Sequence, residues 1–301
     1  MDVHPTGEFA NQAKDYKHIV AVPLSAAMGA EIRDVDVRNL TESAFAEIKD
    51  ALYRHKMIYF RDQEISHSDQ ENFTEFFGDF GRDAYTPGLA DHPEIQLVLK
   101  EADTKAHMIF GSAWHTDSPF LERPPAITIL FGKDIPPFGG DTIWANSALA
   151  YAFLSDTMKK TLSNIRVHMS ARKVFSEMEK GAKKYGKKAL GSTPLKFDAE
   201  PMIIGATHPV IRTHPETGEK AIYVDDAYSV SIAGMTEPES NMILTFLRNH
   251  ITQPAFTCRL RWAPHTLAVW DNRLCLHHAF NDHDGYRREM YRTTVLGEVP
   301  A

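Results

Sequence analysis

The tripeptide His115-Thr116-Asp117 sets an imidazole and a carboxylate two residues apart. On a strand, residues i and i+2 face the same side, so both side chains would enter one cavity. An imidazole nitrogen and a carboxylate oxygen are two-thirds of a facial triad, a ligand set that leaves open positions on iron(II) for substrate and O2. Alone this signal is weak. The chain has 15 histidines and 40 acidic residues, so such a tripeptide arises readily by chance, as a hydrogen-bonded pair near a turn.

A second block strengthens the reading. Leu267-Ala-Val-Trp270-Asp-Asn-Arg273-Leu-Cys-Leu-His277-His278 reads as a buried strand, a tight Asp-Asn turn and two adjacent histidines. Either histidine can return to the first block as a third ligand. Arg288 and then Arg292 follow, close to the start of a β-type run over 291–296. If that run pairs beside the histidine strand, both guanidinium groups face the metal. Arginine binds carboxylates through paired, charge-assisted hydrogen bonds. Iron with an arginine beyond it suits a dicarboxylate such as 2-oxoglutarate, its keto-acid end on the metal and its far carboxylate on arginine. Taken singly, each arginine reads as well as a surface salt bridge.

The elements that must position these residues are mostly short strands. Apolar or β-branched runs recur at 95–99, 126–131, 142–144, 210–212, 221–224, 257–262, 267–270 and 292–296, punctuated by Gly, Pro, Asn and Asp. That pattern predicts a β-sandwich or barrel. Before it, Thr41 and Ser66 are predicted to cap two helices, the second burying Phe73, Phe76 and Phe77 and ending at Gly78 and Gly81. A buried strand at 57–60 lies between them. Later helices are expected over 147–162 and after Thr236, where Thr236-x-x-Glu239 is a capping box and Ile243, Phe246 and Leu247 form the buried face. Residues 1–17 read as a loose polar arm, and 18–301 as a single domain. Residues 173–196 carry seven lysines and few large apolar residues. They read as a solvated excursion or, since long loops in enzymes often cover active sites, as a mobile lid over roughly 171–200.

Composition bounds the function. Hydrophobic residues make up 43% and the formal net charge is −7, which argues against a general nucleic-acid binder but not against a small anionic substrate held by local arginines. Two cysteines without a CxxC pair argue against a structural zinc or iron–sulfur site and fit a reducing compartment. No signal-peptide core or run of ~18 apolar residues is present, so a cytoplasmic location with no membrane partner is expected.

The blocks W-H-T-D-S-P-F, P-P-A, G-G-D-T-I-W, W-D-N-R-L-C-L-H-H and R-R-x-M-Y-R-T-T, in this order and spacing, resemble the taurine and aryloxyalkanoate (TauD/TfdA) dioxygenase family of Fe(II)/2-oxoglutarate enzymes. The weaker likeness runs from about Pro23 to Pro300. The resemblance implies a mainly β, α+β fold with a double-stranded β-helix (jelly-roll) core and flanking helices. It implies Fe(II), 2-oxoglutarate and O2 as cofactor and co-substrates, with hydroxylation of a small organic anion (sulfonate, sulfate ester, aryloxyalkanoate or other organic acid) and succinate and CO2 as co-products. It implies His115, Asp117 and His277 as iron ligands, Thr142 and Arg288 as partners of the distal 2-oxoglutarate carboxylate, and Arg292 as the holder of the substrate anion. His277 rather than His278 falls at the ligand spacing. A homo-oligomer, dimer or tetramer, is also implied.

One position departs. Counting from Phe77-Gly78, Asp83 stands where the taurine branch has a sulfonate-binding histidine, and it would repel a sulfonate unless a cation were nearby. It reads as a partner for a substrate amine or as part of a shifted loop. Tyr85, and less so Phe120, are candidates to line the pocket. His168, His208, His214, His250, His265 and His283 lack partners at recognisable spacing and are expected to be surface or hydrogen-bonded residues. Trp144, Trp262 and Trp270 are expected in the core. The alternatives from other classes are a non-catalytic metal- or effector-binding β-barrel and a zinc hydrolase with an activated water.

Overall fold

The computed structural model describes residues 7–104, 111–185, 192–193, 195 and 198–301. The first part of the chain forms β1 (Val20–Pro23), β2 (Ala30–Arg33), α1 (Glu42–His55), β3 (Met57–Phe60), α2 (His67–Glu75) and β4 (Gln96–Lys100). Next come β5 (Ile127–Asp134), β6 (Thr142–Asn146), α3 (Ser147–Ala152), α4 (Asp156–Leu162), β7 (Arg166–Met169) and α5 (Arg172–Tyr185). They are followed by α6 (Ala199–Ile204), β8 (Ala206–Pro209), β9 (Ile211–Thr213), β10 (Lys220–Ile222), β11 (Ser229–Ile232) and α7 (Glu237–Ile251). The chain closes with β12 (Thr257–Leu260), β13 (Thr266–Asp271), β14 (Cys275–Ala279) and β15 (Arg288–Val295).

The large sheet runs β1-β2-β3-β13-β5-β15-β4, antiparallel except for the β2–β3 pair. A second sheet, β12-β6-β14, holds the histidine strand. Two smaller sheets, β11-β7-β8 and β10-β9, complete the β structure. This is the expected jelly-roll with flanking helices.

The large sheet sorts its side chains by strand alternation. In β5, Ile127, Ile129 and Phe131 join Leu267 and Val269 of β13 in a core against Ile48 and Leu52 of α1 and Phe73 of α2. The intervening Ala268 and Trp270 turn the other way and pack with Trp144 of β6. Fully burying each large apolar side chain contributes about 1.5–3 kcal/mol, so the register is fixed. A slip of one residue would exchange the two faces. In β15 the same rule puts Val295 in the helix-side core, while Arg288 and Arg292 line the cavity on the opposite face.

The caps form as expected. The Thr41 hydroxyl accepts from Ala44 N–H, Ser66 and Asp69 make a reciprocal capping box, and the Glu239 carboxylate accepts from Thr236 N–H. Four local expectations are corrected. Phe76 and Phe246 are exposed; Phe76 lies against Phe45, and in α7 it is Leu244 and Leu247 that are buried. The helix expected over 147–162 is two, α3 and α4. Residues 172–185 of the lysine-rich segment are helical, with Met178 buried. Much of the remainder, with the lid reading that depends on it, lies outside the described residues, but Thr193 hydrogen-bonds Leu99 N–H in β4. Within the polar arm, residues 7–17 are anchored: Asn11 donates to Gly29 O, and Lys14 and Tyr16 reach Asp50.

Candidate active site

His115 and Asp117 do not lie on a regular strand. Their segment makes one antiparallel bridge, His115 to His277, through His277 N–H to His115 O at 2.8 Å and His115 N–H to His277 O at 3.0 Å. Ser118 then takes a left-handed conformation with φ 44°. The outcome matches the expectation for a strand by a different route, since the side chains of His115, Asp117 and His277 converge and are all buried. One donor atom from each lies within 4.8 Å of the others. His115 Nε2 and His277 Nε2 stand 3.9 Å and 3.7 Å from Asp117 Oδ1. These separations are too long for hydrogen bonds, so three lone-pair donors face one another across a small gap. His278 points elsewhere, with its ring near Trp114 and Phe280.

The electrostatics keep this set ready for a cation. Burial, reinforced by His115, holds His277 well below the ordinary imidazole range, so its ring is neutral. Burial pushes the Asp117 carboxyl up, but His277, Arg292 and His115 outweigh it and keep it ionised. His115 Nδ1 lies 2.8 Å from Ala113 O; the carbonyl accepts, which fixes the N–H on Nδ1 and leaves Nε2 as a ligand. Asp117 Oδ2 accepts from the Thr128 hydroxyl at 2.5 Å, Thr128 Oγ1 accepts from Asn272 Nδ2, and Asn272 Oδ1 accepts from Trp270 Nε1. This relay orients the carboxylate with Oδ1 toward the histidines. Two imidazole nitrogens and one carboxylate oxygen, with an open cavity beside them, fit a divalent iron site.

Arg288 and Arg292 reach the cavity from an unexpected side. β15 pairs with β5 and β4 in the large sheet, not with the histidine strand β14, which pairs with β6 in the other sheet. The arginines therefore face the histidines across the space between sheets. Four residues along a strand is about 13 Å, so the two guanidinium groups serve opposite ends of the cavity.

Arg288 is buried, and among the described residues it makes no salt bridge. Its Nη2 donates to Gly140 O at 3.2 Å, its Nε has no partner, and its guanidinium lies 5.9 Å from the Trp262 ring. Burial, only partly offset by Asp141, lowers its pKa to about 10. Thr142 is nearby in the lining. Its Oγ1 accepts from Trp262 Nε1 at 3.0 Å, which leaves its own O–H free to donate into the cavity. The Gly139-Gly140 pair has φ values of 74° and 66°. A Cβ on Gly139 would meet Asp282 O at 2.6 Å, and one on Gly140 would meet Arg288 Nε at 3.3 Å, so glycine is required for this close approach.

At the other end, Arg292 Nη2 is paired with Asp83, and Nη1 lies 3.8 Å from Asp117 Oδ1. Burial works against its charge, but Asp83 and Asp117 more than offset this. Asp83 sits in a loop and borders the cavity. Its Oδ1 accepts from Tyr85 N–H, Thr86 N–H and the Thr86 hydroxyl. The cation needed beside it is Arg292. Tyr85 lines the cavity and packs edge-on against Phe120, which is core.

All eight residues expected at the site thus border one cavity of about 160 Å³. The structure adds Tyr228, Lys100 and His283 to the lining, and Thr128 behind Asp117. Lys100 and Thr128 had no signal beyond lying in strands. Of the dismissed histidines, His208, His214 and His250 are buried with hydrogen-bond partners. His283 contradicts its expectation, being 3% exposed with neither ring nitrogen paired.

Residues 21–294 match the family described as taurine catabolism dioxygenase TauD, TfdA family. The chain belongs to that family. It is 32% identical to an alkylsulfatase of Acinetobacter baylyi, over 92% of this chain and 84% of that protein. It is 31% identical to an alpha-ketoglutarate-dependent sulfate ester dioxygenase of Pseudomonas putida, over 92% and 89%. The solved structure of a taurine dioxygenase from Burkholderia xenovorans superposes with a TM-score of 0.77 at 34% identity, covering 95% of this chain and 91% of that one. This TauD/TfdA protein is an Fe(II)- and 2-oxoglutarate-dependent dioxygenase that consumes O2. No helix among the described residues is long and apolar enough to cross a membrane.

Proposed function

We propose that this dioxygenase hydroxylates a C–H bond of a small organic monoanion, with a sulfate ester, sulfonate or carboxylate as its anionic end. When bound, Fe(II) supplies the activation of O2 and the oxidation of that bond, with 2-oxoglutarate becoming succinate and CO2. His115, Asp117 and His277 hold the iron. Thr142 and Arg288 hold the distal carboxylate of 2-oxoglutarate. Arg292 orients the substrate anion beside the iron, with Tyr85 and Asp83 bordering it.

The observation that carries this reading is the pair of guanidinium groups on one face of β15, Arg288 buried and Arg292 half-buried. Arg288 is without a carboxylate at one end of the cavity, and Arg292 is beside the His–Asp–His group at the other. A cavity that merely held a metal would have no use for a second, unpaired cation. Asp83 shares Arg292 and so reduces the positive charge offered to a ligand. That favours one anionic charge over two. The sulfate ester chemistry in the relatives' names points the same way.

Anaerobic addition of Fe(II) and then 2-oxoglutarate should produce a weak visible absorption band that needs both and fades on admitting O2. Alkyl sulfates, alkane sulfonates and aryloxy acids should then be screened for substrate-dependent succinate release. Arg292→Met should raise the KM for the organic anion at least about tenfold, the loss of a charged hydrogen bond, while leaving the 2-oxoglutarate titration of the band unchanged. If Arg292→Met shifted only the 2-oxoglutarate titration, the two arginines would have exchanged roles and the substrate assignment would fall.

A further inference from the structure

His283 lies in the loop between β14 and β15, and among the residues around the cavity it is the one whose burial nothing yet explains. Its side chain is 3% exposed, yet Nδ1 and Nε2 both lack a partner. Buried polar groups without partners are rare in folded proteins and call for a reason. Two features show that the ring is placed rather than stray. Gly140 N–H donates to Asp282 Oδ1 at 2.7 Å, which fastens the loop one residue before His283. A Cβ on Gly140 would sit 3.3 Å from both His283 Nδ1 and Arg288 Nε. The imidazole and the guanidinium therefore pack close over the same glycine in one corner of the cavity.

That corner gathers unsatisfied nitrogen. Arg288 Nε and both His283 nitrogens are buried and unpaired, and all belong to residues lining the same cavity. Lys100, opposite Arg288 in the strand register, also lines it, with Nζ tied to the exposed Asp284. The groups facing the ring are thus Arg288, Lys100, Asp282 and Asp284. Burial, with Lys100 and Arg288, lowers the imidazole pKa to about 4, so the ring is neutral at ordinary pH, with one N–H to donate. The neutral ring offers one acceptor nitrogen, fewer than the N–H donors gathered around it. A carboxylate has lone pairs enough for several donors.

We propose that His283 is a third donor to the distal carboxylate of 2-oxoglutarate, beside Arg288 and Thr142, and that it sets selection for a 2-oxo diacid over a 2-oxo monoacid. This rests on Arg288 receiving that carboxylate. His283 touches the co-substrate at the end remote from the iron, so its effect lies in binding and not in the oxidation step.

The test compares 2-oxoglutarate with 2-oxopentanoate. Both present the same keto-acid to the metal, and only the first has the distal carboxylate. Dissociation constants for both are read anaerobically on the Fe(II) protein from the visible band, for wild type, His283→Phe and His283→Gln. The ratio of the two constants within each variant cancels any general loss of folding or metal. His283→Phe should cut the preference for 2-oxoglutarate by about tenfold or more, the effect of one lost hydrogen bond to a charged group. His283→Gln, which restores an N–H donor, should recover part of it. An unchanged ratio in His283→Phe, with wild type still preferring the diacid, would overturn the role of His283 and leave that of Arg288 standing. A wild type without preference would overturn both.

Discussion

Arg288 is a buried cation without a salt bridge among the described residues, and if it receives the distal carboxylate as proposed, its removal should separate stability from binding. Burial lowers its pKa from the ordinary guanidinium range to about 10. At about 1.4 kcal/mol per tenfold change in equilibrium, that corresponds to about 3 kcal/mol of unfavourable burial in the ligand-free protein. The cost is fully present below pH 10, where the guanidinium is charged in both folded and unfolded chains. Arg288→Met removes it, and also removes the hydrogen bond to Gly140 O and the contact with Trp262, together worth about 2 kcal/mol. The ligand-free variant should therefore be as stable as wild type or about 1 kcal/mol more stable. Binding should move the other way. Two charge-assisted hydrogen bonds to a carboxylate, at about 1.5–3 kcal/mol each, correspond to a loss of about 10²–10⁴ in 2-oxoglutarate affinity. Thermal melts of the Fe(II) protein under argon, with and without 2-oxoglutarate, read both quantities. Wild type at a hundredfold excess over Kd should gain about 2.7 kcal/mol, and Arg288→Met at most about 0.4 kcal/mol at the same concentration. A ligand-free variant destabilised by several kcal/mol, with its response to 2-oxoglutarate intact, would show that Arg288 is a structural residue.

The adjacent histidines separate cleanly. His277→Ala should abolish tight Fe(II) binding by calorimetry and His278→Ala should preserve it; the reverse result would move the ligand one residue along. Thr128→Val deletes the hydroxyl that donates to Asp117 Oδ2 and should weaken Fe(II) binding about 10–100-fold, so equal affinity in the variant would remove the relay from the site. Buried His55 has its pKa lowered to about 4, chiefly by burial. The unfolded chain, with its histidine near 6.5, takes up the proton first as pH falls, so stability is lost between about pH 6.5 and 4. His55→Gln should flatten that part of the melting-temperature profile, and an unchanged slope would show that other groups dominate it.

The sequence by itself carried the residue types and order of the proposed site. Metal-ligand types are few and their order along the chain is rigid, so His115-x-Asp117, His277, Gly139-Gly140-Asp141-Thr142 and Arg288-x-x-x-Arg292 were legible from spacing and from the family they resemble. Strand positions were legible too, because the alternation that buries Ile127, Ile129 and Phe131 on one face is local. What only the tertiary structure decided is which strand lies across from which. Nothing in residues 288–296 says that they pair with β5 and β4 rather than with the histidine strand; partner choice depends on packing between distant segments. Hence the arginines face the histidines from the opposite sheet, about 13 Å apart along one strand face. The same limit hid Thr128, an ordinary strand threonine until Asp117 is folded against it, and His283, one scattered histidine among several until two glycines bring it beside Arg288. Asp83 shows both levels at once. Its departure from the family pattern was visible in the sequence, but its pairing with Arg292, 209 residues away, exists only in the folded chain.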